Sequence, residues 1–273
     1  LTAAAAGPWR DLRLRLASAA LFGPLVLACI WLGGAWFSAL IVLCVAGLAW
    51  EWVRMTGGGW LSRHGAAVPV SVTAAAMLAA LAMPLAGLLL LLPAAAAAHT
   101  LAGRLPPRFL AAGVLYVGLA GVALITLRQD AEVGRANLVF VILVVWASDS
   151  AAYVAGRALG GPKLWPAVSP GKTWSGALGG LLGAMLVGVL AASLVAPGAA
   201  LAWAALVAGG LGVVSQAGDL LESGIKRHFG VKDSSHLIPG HGGLLDRLDS
   251  ILAVAPAAAG LSLILGSGVH LWR

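Results

Sequence analysis

Nine apolar runs, each close to the length of a membrane-crossing helix, dominate this chain. They lie at roughly 15–32, 35–53, 67–83, 84–101, 110–127, 137–156, 174–195, 199–221 and 251–271. Such runs read as spans because ~20 helical residues cross the hydrocarbon layer of a bilayer. The third and fourth adjoin at "AMPLAG" and fit either one kinked unit or a tight hairpin. In 273 residues, nine spans leave almost no chain for a separate aqueous domain. The expectation is an all-α, polytopic integral membrane protein with about nine transmembrane helices.

Charged residues are only 10% of the chain, yet the net charge is +7. A binder of nucleic acid is one explanation of that excess, but the positions of the charges exclude it. With the N-terminus in the cytoplasm, Arg10, Arg13, Arg15, Arg54, Arg63, Arg104, Arg108, Arg157, Lys163, Lys172, Lys226, Arg227, Lys232 and Arg247 all fall on the inner side. Only Arg128, Arg135 and Arg273 fall outside. This is the positive-inside pattern, so the basicity reflects topology. Arg10–Arg15 read as the inner flank of a retained first span rather than of a cleavable signal.

The chain divides into membrane helices over 1–130 and a catalytic membrane region over 131–273 with cytoplasmic loops at 157–173 and 222–250. In the first part Trp9, Trp31, Trp36, Trp50, Trp52 and Trp60 sit near span ends, where interfacial aromatics belong. Glu51, between two of them, is expected at the interface as well. His99 is expected to be packed or hydrogen-bonded. Cys29 and Cys44 lie inside apolar runs without metal-type spacing and read as small core residues.

Three constellations in the second part bear on chemistry. "DSAAYVAGR" (149–157) places Asp149 about 12 Å inside its span at helical rise, where an ionisable group marks a functional pathway or a buried pair. "KLWPAVSPGKTWSG" (163–176) ends like a phosphate-binding loop, but Pro166 stands where that loop needs glycine and no strand precedes it. A Ser-Pro-Gly-Lys-Thr turn still offers Ser169, Lys172 and Thr173 to a phosphate at a helix N-terminus. The third constellation runs from 218 to 250. A helix continuing through Arg227 puts Asp219, Glu222 and Lys226 on one face, and a helix starting near Leu244 does the same for Asp246 and Asp249. Carboxylates beside Lys226, Arg227, Lys232, Arg247 and His241, with close-approach glycines at 240, 242 and 243, are what a Mg²⁺–polyphosphate site requires.

"SGIKRHFGVKDSSHLIPGHGGLLDRLDS" resembles the signature of the phosphatidate cytidylyltransferase (CDP-diacylglycerol synthase) family. The matching positions are Ser223, Lys226-Arg227, Lys232-Asp233, Pro239 to Gly243 and Asp246-Arg247-Leu248-Asp249. "SPGKTW", "DSAAYVAGR" and "GDLLES" upstream also match. Ser175 departs from the pattern, which has Glu after the Trp of "GKTW". The resemblance implies transfer of the cytidylyl group of CTP to phosphatidate with Mg²⁺, the number of cations being open, by a homodimer in a bacterial inner membrane. On this reading Asp219 and Asp246 are metal ligands supported by Asp249. Lys226, Ser169, Lys172, Thr173, Ser223, Arg227, Lys232, His241, Gly242, Gly243 and Arg247 serve catalysis or hold substrate. An ion-coupled transporter and a CTP-using lipid kinase remain as alternatives. A CDP-alcohol phosphotransferase does not, because its Asp-Gly-x-x-Ala-Arg motif is absent.

Overall fold

The computed structural model describes residues 20, 23–58, 65–195, 200–235, 237 and 242–273. Arg10, Arg13, Arg15, Arg63, Trp9, Trp60, Pro239, Gly240 and His241 lie outside the described residues. The helices are α1 (Gly23–Leu32), α2 (Gly34–Met55), α3 (Ala67–Ala80), α4 (Pro84–Thr100), α5 (Pro107–Gln129), α6 (Gly134–Leu159), α7 (Trp174–Val195), α8 (Leu201–His228) and α9 (Leu245–Leu265). Each coincides with one of the expected spans. Among the described residues six are long and apolar enough to cross a membrane, and the described parts of α1, α3 and α4 are shorter apolar helices. The protein is a multi-pass membrane protein.

Helices α2 to α5 pack as one group and α6 to α8 as a second; α9 lies between them against α5 and α8. The "AMPLAG" junction is a tight hairpin, with Ala82 at φ 61° in the turn between α3 and α4. On α4 the buried row is Gly87, Leu91, Ala95 and Ala98. His99 lies off that row and is exposed, contrary to expectation. Trp31 and Trp36 face outward, whereas Trp52 is buried, donating its Nε1–H to the Phe109 carbonyl at 2.7 Å.

The closest helix pair, α6 and α7, rests on missing side chains. A Cβ on Gly179 would lie 2.3 Å from Ala155 Cβ, and one on Gly183 would lie 2.5 Å from Ala151 Cβ. Small residues at this spacing let backbones approach in lipid, where apolar side chains gain nothing by avoiding it. The glycine row of α7 is therefore used within the chain.

Two segments differ from expectation. Residues 163–173 form an antiparallel hairpin, β1 (Lys163–Trp165) with β2 (Ser169–Thr173), so Ser-Pro-Gly-Lys-Thr is a strand rather than a turn. Helix α9 begins and ends about six residues earlier than the apolar run. Gly266 (φ 93°) stops it and Gly268 (φ 75°) turns the chain back. Leu271 and Trp272 are then buried, Trp272 against Phe140 with ring centroids 4.6 Å apart. Asn137 holds this tail, accepting from Leu271 N at 3.0 Å and donating to the Val269 carbonyl at 3.2 Å. Asp130 adds a bond from Gly268 N at 2.9 Å.

Two predictions follow from this packing. Gly183→Ala overfills the α6–α7 contact and is expected to cost about 1–3 kcal/mol, seen as a lowered Tm in detergent. Backbone N–H groups, that of Val133 foremost, hold the Asp130 carboxyl below the usual carboxylate range. Its contribution to the tail is complete above about pH 4, the unfolded value, and is lost as pH falls through the lower folded value. Hydrogen exchange over residues 266–273 is expected to accelerate only in that acidic window.

Candidate active site

The functional residues collect at one end of the bundle, where α2, α6 and α8 finish and α7 and α9 begin. Helix α8 stays regular to His228, which carries Asp219, Glu222 and Lys226 down one face. Its end is braced from α5, because Phe109 stacks on His228 and meets Phe229 edge-on, both at 4.8 Å between centroids. Opposite, the first turns of α9 present Asp246 and Asp249. The sequence reading anticipated both helices through these residues.

Lys226 joins the two helices. Its Nζ lies 2.9 Å from Glu222 Oε1 and 2.7 Å from Asp246 Oδ1, with Glu222 fully buried. An isolated charge here is costly to bury, and Lys226 offsets one oxygen of each of two carboxylates. Glu222 Oε2 has no hydrogen-bond partner among the described residues. The other Asp246 oxygen, Oδ2, accepts from Ser234 N at 2.9 Å, Gly243 N at 2.9 Å and Ser234 Oγ at 3.1 Å. Nearer the surface, Lys172 Nζ pairs with Asp219 Oδ2 at 2.6 Å, tying β2 to α8.

Between these elements lies a cavity of about 600 Å³. Asp149, Asp219, Asp246 and Asp249 line it with Lys172, Arg157 and Arg247. Ala152, Gly156, Leu164, Gly176, Ala177 and Leu220 supply an apolar wall. The Thr173 hydroxyl also faces this region but caps α7, accepting from Gly176 N at 3.1 Å. Ser175, at the departing position, lies 2.9 Å from Thr173 Oγ1 and donates to the Gly160 carbonyl. It thereby secures the end of α6 to the start of α7.

Of the sequence-predicted residues, Asp219, Asp246, Asp249, Lys172, Thr173 and Arg247 line the cavity. Lys226 stands behind Asp246, and Ser223 Oγ reaches Asp219 Oδ1 at 3.4 Å. Ser169, Arg227 and Lys232 are not part of the cavity wall; Arg227 and Lys232 are exposed, and Arg227 donates to the Val231 carbonyl at 3.4 Å. His241 lies outside the described residues. Gly242 has φ 84°. Gly243 admits close approach by protein: a Cβ there would lie 1.9 Å from Ser234 Oγ and under 3 Å from both Glu51 oxygens.

Sequence reasoning missed Tyr153, Arg157 and Gln216 as cavity residues. Tyr153 and Arg157 follow Asp149 at i+4 and i+8 on α6, and that spacing is the signal that shows them. It also placed Glu51 at the membrane interface. Glu51 instead points inward and is 0% exposed, and no local pattern shows this.

A Mg²⁺ ion suits this donor set only in company with phosphate. Among the described residues no three His, Cys, Asp or Glu side chains form a ligand group by themselves. Asp246 already has donors on both oxygens, and Asp219 shares one with Lys172. Mg²⁺ needs only one or two carboxylates when water and phosphate oxygens complete its shell, so the residues fit a cation that arrives with a polyphosphate.

Fold and site together define a multi-pass membrane protein with a charged, partly apolar cavity at one end of its helices. The chain belongs to the cytidylyltransferase family, whose model matches residues 13–265. It is 40% identical over 258 residues to the phosphatidate cytidylyltransferase of Brucella suis, covering 90% of this chain and 91% of that one. The phosphatidate cytidylyltransferase of Staphylococcus saprophyticus is 43% identical over 143 residues, 52% of this chain and 54% of its own.

Removing Lys226 strands two carboxylates. Lys226→Met is expected to destabilise the protein by about 3–5 kcal/mol. Adding Glu222→Gln should recover part of that loss, measured as Tm in detergent.

Proposed function

We propose that the protein transfers the cytidylyl group of CTP to phosphatidate, giving CDP-diacylglycerol and pyrophosphate, at the cytoplasmic face of a bacterial inner membrane. The names of its relatives support this reading. The observation that carries it is the cavity, which combines an apolar wall on α6, α7 and α8 with a rim of carboxylates and cations at the ends of the spans. One substrate is a lipid held in the bilayer and the other an aqueous triphosphate, and such a cavity suits their meeting. The cytoplasmic assignment rests on charge: among the described residues Arg128, Arg135 and Arg273 lie at the far end, and the other Lys and Arg lie at the cavity end. The homodimer is the assembly that the family resemblance implies.

In the reaction a phosphate oxygen of phosphatidate forms a bond to the α-phosphorus of CTP. The bond from that phosphorus to the bridging oxygen breaks, and its electron pair leaves with pyrophosphate. The nucleophile is already anionic, so the barrier is the approach of two polyanions rather than removal of a proton. Lys172, Arg157 and Arg247 offer positive charge along the wall, where preorganised cations act without solvent reorganisation. Lys226 holds Glu222 and Asp246 together by charge-assisted hydrogen bonds. Asp219 and Asp246, with Asp249 beside them, would hold Mg²⁺, which supplies further positive charge against the phosphates.

The test is label transfer from α-labelled CTP into chloroform-extractable lipid by purified protein in detergent, with phosphatidate and Mg²⁺. Metal-dependent labelled lipid and stoichiometric pyrophosphate are expected. Asp246→Asn should lower kcat by at least ~10²-fold while remaining folded. CDP as the product, or no transfer by folded protein, would overturn the reading, and near-wild-type turnover by Asp246→Asn would remove that residue from it.

A further inference from the structure

Glu51 is a fully buried carboxylate at the end of α2, in the half of the chain that carries no other chemistry. It has no lysine or arginine partner among the described contacts. Four donors converge on it instead. Ser235 Oγ (2.5 Å) and Leu244 N (2.8 Å) donate to Oε1, and Ser234 Oγ (2.9 Å) and Leu245 N (2.7 Å) lie on Oε2. Leu244 and Leu245 open α9, a helix whose first residue brings no side-chain cap of its own. An anion there satisfies free N–H groups and the helix dipole together. One residue of α9 further on is Asp246.

Ser234 connects the two acids. Its hydroxyl lies 2.9 Å from Glu51 Oε2 and 3.1 Å from Asp246 Oδ2, so a single proton stands between two carboxylates. Its backbone N–H binds the same Asp246 oxygen. The surroundings are shaped for this clamp. Gly243 leaves no space for a side chain between Ser234 and Glu51. One helical turn before Glu51, Gly47 makes room for Leu244, whose Cδ2 would lie 3.3 Å from an added Cβ. From α5, Tyr116 Oη donates to the Asp249 carbonyl at 3.2 Å and supports α9 from the same side.

We propose that Glu51 is a positioning residue for the reaction: it clamps Ser234, Ser235 and the first turn of α9, and through Ser234 it sets the Asp246 carboxylate against Lys226 and the cavity. Glu51 is not part of the cavity wall. Because buried polar networks hold their geometry only when every member is satisfied, replacing one acceptor oxygen by an NH₂ group opposes a donor with a donor. The clamp should then loosen without loss of the fold. Glu51→Gln is expected to keep the protein extractable and monodisperse. It should lower kcat by about 10²-fold, the scale of a 1 Å displacement of a catalytic group, with KM for phosphatidate within threefold of wild type. Ser234→Ala should lower kcat in the same direction, and the double variant should lose less than the two single losses multiplied, because the two residues share the Ser234–Glu51 contact.

The experiment combines this kinetic set with hydrogen exchange over residues 242–250, measured without substrate or metal. Asn137→Ala is the control, since it loosens the tail at the opposite end of the bundle. Faster exchange over 242–250 in Glu51→Gln, absent from Asn137→Ala at matched loss of Tm, supports the proposal when it accompanies the fall in kcat. Unchanged exchange, kcat within threefold of wild type, or an equal kcat loss in Asn137→Ala would overturn it. If Glu51→Gln does not fold, Ser234→Ala carries the same comparison. The kinetic half rests on the function proposed above. Wild-type protein that makes no labelled lipid would end that reading, and the exchange comparison would then decide the clamp by itself.

Discussion

A charge buried among membrane helices must meet its partner on another element, and the cavity end of this protein is built from that requirement. Lys226 ties α8 to α9 through Glu222 and Asp246. Lys172 ties β2 to α8 through Asp219. Glu51 ties α2 to the start of α9 through backbone and hydroxyl donors. Apart from Lys226–Glu222, which spans one turn of α8, these contacts cross between different elements, so the charges hold the elements in register as well as equip the site. For the buried Glu51 and Glu222, the loss of their partners leaves a carboxylate without water to turn to.

Close helix packing sets the other dimension of the cavity. The α6–α7 contact is tight because Gly176, Gly179, Gly180 and Gly183 have no Cβ to hold the backbones apart. It carries the Asp149–Tyr153–Arg157 face of α6 beside the N-terminus of α7 and the hairpin. The hairpin is non-helical backbone at the mouth, and its strands pair with each other. Ser175 and Thr173 fasten its ends. The result is a rigid frame with an apolar wall inside the span and polar groups at its edge.

The division into a bland first half and a chemical second half is only partly respected by the fold. Helix α5 contributes Phe109 against His228 and Tyr116 against the Asp249 carbonyl. Helix α2 contributes Glu51. The first half is thus the back wall of the site, and the C-terminal tail closes the opposite end through Asn137 and Asp130.

The sequence by itself determined the membrane class and, to within about six residues, the place of the helices among the described residues, because a 20-residue apolar run admits few structures in lipid. It also determined that Asp219, Glu222 and Lys226 share a face, and likewise Asp246 and Asp249, since helical spacing decides this locally. Much of the cavity was legible for the same reason. What only the tertiary structure decided is which face meets which. Residues 163–173 pair as strands with partners ten residues away or fewer, a choice that Gly and Pro content left open. Helix α9 stops at Gly266, and the tail beyond it turns back to pack Trp272 on Phe140. Glu51 turns inward because its donors lie 183 to 194 residues later in the chain. Periodicity reports the nearest turns of a helix, and a partner at that distance leaves no trace in it.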